Sequence, residues 1–354
     1  MTLSKKPTEL SLAEDLGELI KDLPEHQHGK LIERALAVLL RIADEEIDRL
    51  DWKILTTALE DLEKGFQVFY PYRHTRKVTI FGSARLSPQS SEYRLAVEFA
   101  RYITQFGFMV LTGAGGGIMQ AGNEGAGREH SFGLNIELPF EQGTNPFIAG
   151  DDKLIRFKYF FTRKLFFLRE SDAVALFPGG FGTQDEAFET LTLCQTGKYG
   201  PSPLVLIDEP GGNYWKAWNE YNYNNLLARG LISAEDSSLY TITDSLATAC
   251  NVIRQFYCVY HSIRYVEDLL VMRLNSQLTD AQVEQLNEEY SDILVKGKIE
   301  KSQVLPTEIK DETASLPRLR LYFNQRNLGR LYQMINQINK FGTCLPIEPH
   351  PEWK

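Results

Sequence analysis

A carboxylate beside a glycine-rich turn is the clearest chemistry in this chain. Pro178-Gly179-Gly180-Phe181-Gly182-Thr183-Gln184-Asp185-Glu186 follows the apolar run Ala173–Phe177 and precedes an amphipathic stretch from Gln184 to Gln195. The run reads as a buried strand and the stretch as a helix, so the glycines occupy a strand-to-helix turn. Bare backbone there lets N–H groups converge on an anion at a helix N-terminus. Thr183 is placed to cap that helix or to give its hydroxyl to a phosphate. Glu186 falls on the first helical turn. A phosphate cradle with a carboxylate one turn away suits chemistry on a phosphorylated small molecule.

Two more turns of this kind precede it. Gly82-Ser83-Ala84-Arg85 follows Val78–Phe81, and Gly113 to Gly117 follows Phe108–Thr112. Helix-like stretches near 91–106 and from Ile118 to about Glu129 succeed them. Leu134–Leu138 reads as the next strand, followed by a long loop through Pro139 and Pro146. A short strand near Lys158–Phe161 comes before a helix carrying Arg163 and Lys164, and Pro203–Ile207 forms another strand. Residues 74–258 are therefore expected to form an α/β, Rossmann-like, doubly wound parallel sheet, whose ligands bind at the C-terminal ends of the strands. Gly113–Gly117 does not match a dinucleotide fingerprint, and Lys198 is out of register for a Walker loop.

Flanking regions differ in pattern. Residues 1–73 read as helical: Ser11 and Glu14 have capping-box spacing, and Leu31, Ala35, Val38, Leu39 and Ile42 repeat at helical period, as do Leu55, Leu59, Leu62 and Phe66. Packing or oligomerisation is the role expected of them. Residues 259–354 read as a bent strand at 262–274, a helix from Thr279 to Tyr290, strands near 298–304 and 317–323, and a helix at 327–341. That order suggests a ferredoxin-like α+β module short of its last strand, regulatory or oligomeric in role. In it Arg318 and Arg320 alternate with Leu319, Leu321 and Phe323, facing outward, where they could hold an anionic effector.

Bulk composition narrows the class. The chain has 354 residues, 43% hydrophobic and 24% charged, with a net charge of −9, which disfavours binding nucleic acid through a basic surface. No apolar run approaches the ~20 residues of a membrane span, and the charged N-terminus lacks the apolar segment of a signal peptide. A cytoplasmic protein is expected. Cys194, Cys250, Cys258 and Cys344 are scattered without CxxC or histidine partners, which suggests reduced thiols and no structural metal.

Residues 75–230 resemble the LOG (lonely guy) family, long labelled lysine decarboxylases and similar to nucleotide 5′-monophosphate nucleosidases. The resemblance rests on Phe81–Arg85, on Thr112–Gly125 with Gly115-Gly116-Gly117-Ile118-Met119, on Arg163-Lys164 and on Pro178–Glu186. It implies hydrolysis of the N-glycosidic bond of a nucleoside 5′-monophosphate, such as AMP or a cytokinin nucleotide, to free base and ribose 5-phosphate, without metal or cofactor. It implies a homodimer or higher oligomer too. Glu186 then orders and deprotonates water and stabilises an oxocarbenium-like ribosyl cation. Arg163 matches the family's catalytic arginine, whose planar fork can bind phosphate or position the glutamate. Substrate contacts fall to Ser83, Gly115, Gly116, Gly117, Lys164, Gly179, Gly180, Gly182, Thr183 and Glu189, the last holding ribose hydroxyls or orienting Arg163. Molybdenum cofactor carriers look similar in fold and bind a phosphorylated ligand without hydrolysing it, which is the alternative function. Lysine decarboxylation would need pyridoxal phosphate on a lysine with an acidic partner for its ring nitrogen, and no such arrangement is legible.

Overall fold

In a computed structural model, residues 9–138 and 143–344 are described. The loop reading at Pro139 lies outside them. The chain divides into two compact units, Met1–Glu60 and Asp61–Lys354. In the first, α1 (Glu9–Asp22) and α2 (Gly29–Asp44) are followed by most of α3 (Arg49–Phe69), whose last turns belong to the second. Ser11 lies within α1, not at its cap.

The second unit is built on seven parallel strands: β1 (Lys77–Phe81), β2 (Met109–Thr112), β3 (Ser131–Ile136), β4 (Leu154–Phe157), β5 (Ala173–Leu176), β6 (Leu204–Ile207) and β7 (Tyr240–Thr243). Their order in the sheet is β4-β3-β2-β1-β5-β6-β7. Parallel strands buried on both faces read as continuous apolar runs, and alternate residues feed two cores. Val78, Ile80, Ala173, Ala175, Val205 and Ile207 pack under α4 (Ser91–Gln105), α5 (Ile118–Ala126) and α9 (Leu246–Phe256). Phe81, Leu111, Val174, Leu176, Leu204 and Leu206 pack under the end of α3, α6 (Phe160–Arg169), α7 (Phe181–Gln195) and α8 (Tyr214–Asn222).

From β1 the chain steps outward through β2, β3 and β4, then returns to pair β5 against the other side of β1. This reversal opens a crevice at the C-terminal ends of β1 and β5, the position where doubly wound sheets bind ligands.

The C-terminal module follows with β8 (Tyr260–Val266), β9 (Leu269–Leu274), α10 (Asp280–Tyr290), β10 (Leu294–Ser302), β11 (Arg318–Phe323) and α11 (Leu328–Lys340). Its antiparallel sheet has the order β10-β11-β9-β8. The expected bent strand is a hairpin: Glu267 takes a φ of 55° at its tip, a conformation a glutamate does not advertise. The split unit β9-α10-β10, with β11 between its strands, is the ferredoxin-like part. The fourth strand is present after all, but it is β8, which comes before that unit in the chain.

Three more expectations are corrected. The strand near Lys158–Phe161 is β4, which ends at Phe157, and the aromatic run behind it begins α6. Cys258 and Cys344, 86 residues apart, form a disulfide, while Cys194 and Cys250 are buried free thiols. Folding brings the pair together because Asn339 Oδ1, near the end of α11, accepts from the N–H groups of Val259 and Tyr260. Arg318 does not face outward. It is buried, bonded to Glu308 at 3.2 Å and to the carbonyl oxygens of Thr313, Ala314 and Leu316, and Arg320 pairs with Glu300 at 2.8 Å. Arg318 is thus closed off from an anion, whereas Arg320 does face outward.

Candidate active site

The crevice is a cleft of about 840 Å³ walled by the three turns after β1, β2 and β5 and by the start of α6. Ser83 N–H donates to the Pro178 carbonyl oxygen at 3.0 Å, and Ile118 N–H donates to the Ser83 carbonyl oxygen at 3.0 Å. These bonds lock the turns to one another. Close approach explains two glycines: a Cβ on Gly113 would stand 2.4 Å from Arg163 Nη2, and one on Gly179 would stand 2.1 Å from Thr183 Oγ1. Gly180 and Gly182 are different. A Cβ on either meets nothing within 4 Å, so packing does not demand glycine there. What their bareness preserves is access to the N-terminus of α7.

That helix starts at Phe181, three residues earlier than the amphipathic pattern indicates, with Gly180 as its cap residue. Gln184 N–H is the donor that bonds back to the Gly180 carbonyl oxygen at 3.1 Å. The N–H groups of Phe181, Gly182 and Thr183 precede it in the first turn, where an α-helix supplies no internal acceptor. Thr183 is thus not the cap: it sits buried in the first turn against Gly179. Glu186 moves to the second turn, deeper in the cleft.

Glu186 is buried, and its Oε2 has no hydrogen-bond partner among the described residues. The Lys164 ammonium lies 3.9 Å from that oxygen. Burial pushes the Glu186 carboxyl up to about 7; Lys164 and Arg163 pull it down, while Glu189 and Asp185 push it further up. A carboxylate held near neutrality in a cleft is suited to taking and returning a proton.

Arg163 is framed by apolar groups. Its Nε donates to the Leu134 carbonyl oxygen at 2.7 Å, and its guanidinium lies 5.0 Å from the Phe167 ring centroid. Burial lowers it to about 10, with the Glu186 charge acting the other way, so it stays cationic at neutral pH. The helix that carries it is capped from a distance. Asp61, buried near the end of α3, accepts from Lys158 N–H, Tyr159 N–H and, at 2.7 Å, the Thr162 hydroxyl.

Ser83, Gly179, Gly180, Gly182, Thr183, Arg163 and Glu186 all line the cleft, as does Arg85. Gly115, Gly116 and Gly117 do not. They form the turn behind it, where Gly117 has a φ of 60° and a Cβ would strike the Ser83 carbonyl oxygen. Asn145 pins this turn, donating to the Gly115 carbonyl oxygen at 3.1 Å and to Asn123 Oδ1 at 2.9 Å. Lys164 and Glu189 also stand off the cleft wall. Lys164 Nζ binds Glu189 at 2.5 Å and Asp185 at 2.9 Å, so Glu189 pairs with Lys164 and not with Arg163. Met119, Phe160 and Phe181 line the cleft although the sequence reading assigns them no contact with substrate, and Phe181 is 94% exposed. Isolated apolar residues carry no signal that distinguishes wall from core.

Lys164 is also unsuited to hold pyridoxal phosphate. Burial works against its charge, but hydrogen bonds to Asp185 and Glu189 outweigh this and hold its pKa above the usual lysine value. A Schiff-base lysine needs the opposite shift. Among the described residues, no three His, Cys, Asp or Glu side chains are grouped to hold a metal, and no helix is long and apolar enough to cross a membrane.

Comparison with known proteins adds the following. Residues 116–253 match the family described as "Possible lysine decarboxylase". The molybdenum cofactor binding protein of the phototrophic bacterium Rippkaea orientalis is 16% identical, with 51% of this chain and 96% of that chain covered at a TM-score of 0.38. The molybdenum cofactor carrier protein of Chlamydomonas reinhardtii is 18% identical, covering 51% and 98% at 0.36. DNA processing protein A of Helicobacter pylori is 17% identical, covering 51% and 81% at 0.36. No curated protein matches the chain.

Proposed function

We propose, from the match of residues 116–253 to the family described as "Possible lysine decarboxylase", that the cleft hydrolyses the N-glycosidic bond of a nucleoside 5′-monophosphate. The products are free base and ribose 5-phosphate. The 5′-phosphate sits at the bare N-terminus of α7 between the turns after β1 and β5. Arg163 presents a fixed cation to the substrate. As the C1′–N bond breaks and its electron pair leaves with the base, the negative charge of Glu186 stabilises the ribosyl cation. Glu186 then takes a proton from the water whose oxygen bonds C1′, and the base gains its proton from solvent, to which Glu186 returns its own.

The observation that supports this reading is Glu186 itself: a buried carboxylate with one oxygen that no described residue hydrogen-bonds, its pKa raised to about 7, beside the helix terminus proposed to seat an anion. Leaving such a group unsatisfied costs stability, and a pure carrier of a phosphorylated ligand gains nothing from it. Phe160 and Phe181 line the cleft and are exposed, as are Phe161, Leu165 and Phe188 on the same two helices, which favours a homodimer built across α6 and α7.

Incubating the protein with a panel of nucleoside monophosphates and resolving the products by chromatography tests the reading. Free base and ribose 5-phosphate in equal amounts are expected from at least one member. A protein that binds monophosphates tightly yet releases no base from any of them is a carrier.

A further inference from the structure

The turn that seats the anion is held by a residue outside all three βα loops. Tyr214, the first residue of α8, donates its hydroxyl to the Gly179 carbonyl oxygen at 2.5 Å. The same hydroxyl oxygen accepts from Gln184 Nε2 at 2.6 Å, so it joins the turn to the first turns of α7. Tyr214 is itself anchored. Its ring stands edge-on to Trp215 at 4.8 Å, and Trp215 is fully buried with its backbone N–H donating to Asp208 Oδ2 at 3.0 Å, just past the end of β6.

The two carbonyl groups before α7 are both tied away: Pro178 by Ser83 N–H and Gly179 by Tyr214. In a trans peptide the C=O and the following N–H point in opposite directions. Fixing the Gly179 carbonyl therefore fixes the Gly180 N–H on the other side. No side chain does this work at Gly180, where even a Cβ would meet open space.

We propose that Tyr214 is a positioning residue for the phosphate seat: it sets the Gly179–Gly180 peptide so that the Gly180 N–H faces the bound anion. This rests on the reading of the cleft as a monophosphate site. Without the hydroxyl, the diglycine peptide is free to rotate and the donor is aimed only part of the time. The loss falls on binding of the phosphate, a part of the substrate remote from the reacting C1′.

The test is Tyr214→Phe in the full chain, which removes one oxygen from a partly exposed ring. A second variant, Gln184→Leu, removes the donor that orients the hydroxyl. AMP and inorganic phosphate binding are measured by calorimetry, alongside kcat, KM and thermal melting. A neutral hydrogen bond contributes about 0.5–1.5 kcal/mol, which is roughly two- to ten-fold in affinity. Tyr214→Phe is expected to raise the Kd for AMP and for phosphate, and KM, by about that factor, with kcat unchanged and the melting temperature lowered by at most a few degrees. Gln184→Leu should move the same quantities in the same direction. Unchanged Kd and KM in Tyr214→Phe, or a fall in kcat alone, overturns the assignment. If the wild type binds AMP without cleaving it, the binding measurements still decide the role of Tyr214 and only the hydrolase reading falls. If the wild type binds neither AMP nor phosphate, the seat and the Tyr214 assignment fall together.

Discussion

At the scale of single residues, the site sets a buried carboxylate against a bare helix terminus, and each half makes its own prediction. Glu186 is raised to about 7 by burial, so its carboxylate form is lost as pH falls through neutrality and not near the usual value of 4.5. The pH profile of kcat/KM should therefore rise with an apparent pKa near 7 and level off above it. An acid limb at pH 4–5 would mean that the working group is not Glu186. Gly182 tests the other half. A methyl group there meets no protein atom, and alanine is the better helix former by about 0.5–1 kcal/mol. Gly182→Ala should fold at least as stably as the wild type while binding AMP at least about tenfold more weakly, because the methyl occupies space meant for the anion. Calorimetry beside a melting curve separates the two effects; wild-type affinity would show that the seat lies elsewhere.

At the scale of elements, the helix carrying Arg163 depends on a residue about a hundred positions away in the chain. Asp61 caps the start of α6 through two backbone N–H groups and the Thr162 hydroxyl. Asp61→Ala strands those donors and should cost about 1–3 kcal/mol of stability. It should also weaken AMP binding, since Arg163 lies on the first turns of the released helix. Denaturant unfolding and calorimetry check both, and an unchanged midpoint would contradict the capping role. Nothing in the sequence marks Asp61, because a cap supplied from another helix leaves no local spacing. The strands β1, β2, β5 and β6 were legible for the opposite reason: parallel strands buried on both faces are unbroken apolar runs followed by glycine turns. The start of α7 was misplaced because Phe181 and Gly182 break the amphipathic pattern while still adopting helical backbone. The edge strand β7, Tyr240-Thr241-Ile242-Thr243, is only partly buried and interleaves threonines, so it shows no unbroken apolar run. Of the site, the residues on the turns were readable from type and position. The pairing of Lys164 with Asp185 and Glu189 required two helices to be brought side by side.

At the scale of the whole molecule, the C-terminal module is joined to the parallel-sheet part by a shared core. Cys194 on α7, Leu239 and Phe256 pack in one cluster with Leu270, Met272, Leu321, Leu331 and Ile335. The Tyr332 hydroxyl accepts from Ser202 N–H at 3.0 Å, near the start of β6. A chain ending at Tyr257 would uncover that cluster behind the helix that carries Glu186. It should be insoluble, or melt without a cooperative transition. Circular dichroism and gel filtration decide this, and a soluble, cooperatively melting, active fragment would show that the shared core is dispensable.

The central claim is that Glu186 activates water for base release, and it is tested most directly by Glu186→Gln measured for turnover, binding and stability together. Base release from the preferred monophosphate should fall by roughly 10²–10⁴-fold, while the substrate still binds. Because the folded state holds the Glu186 proton more tightly than the unfolded chain, stability falls as pH rises from about 4.5 to 7. Glutamine removes that penalty. The variant should therefore melt above the wild type at pH 8, and the gap should close near pH 4.5. A stable, substrate-binding Glu186→Gln protein that releases base at the wild-type rate would contradict the assignment outright.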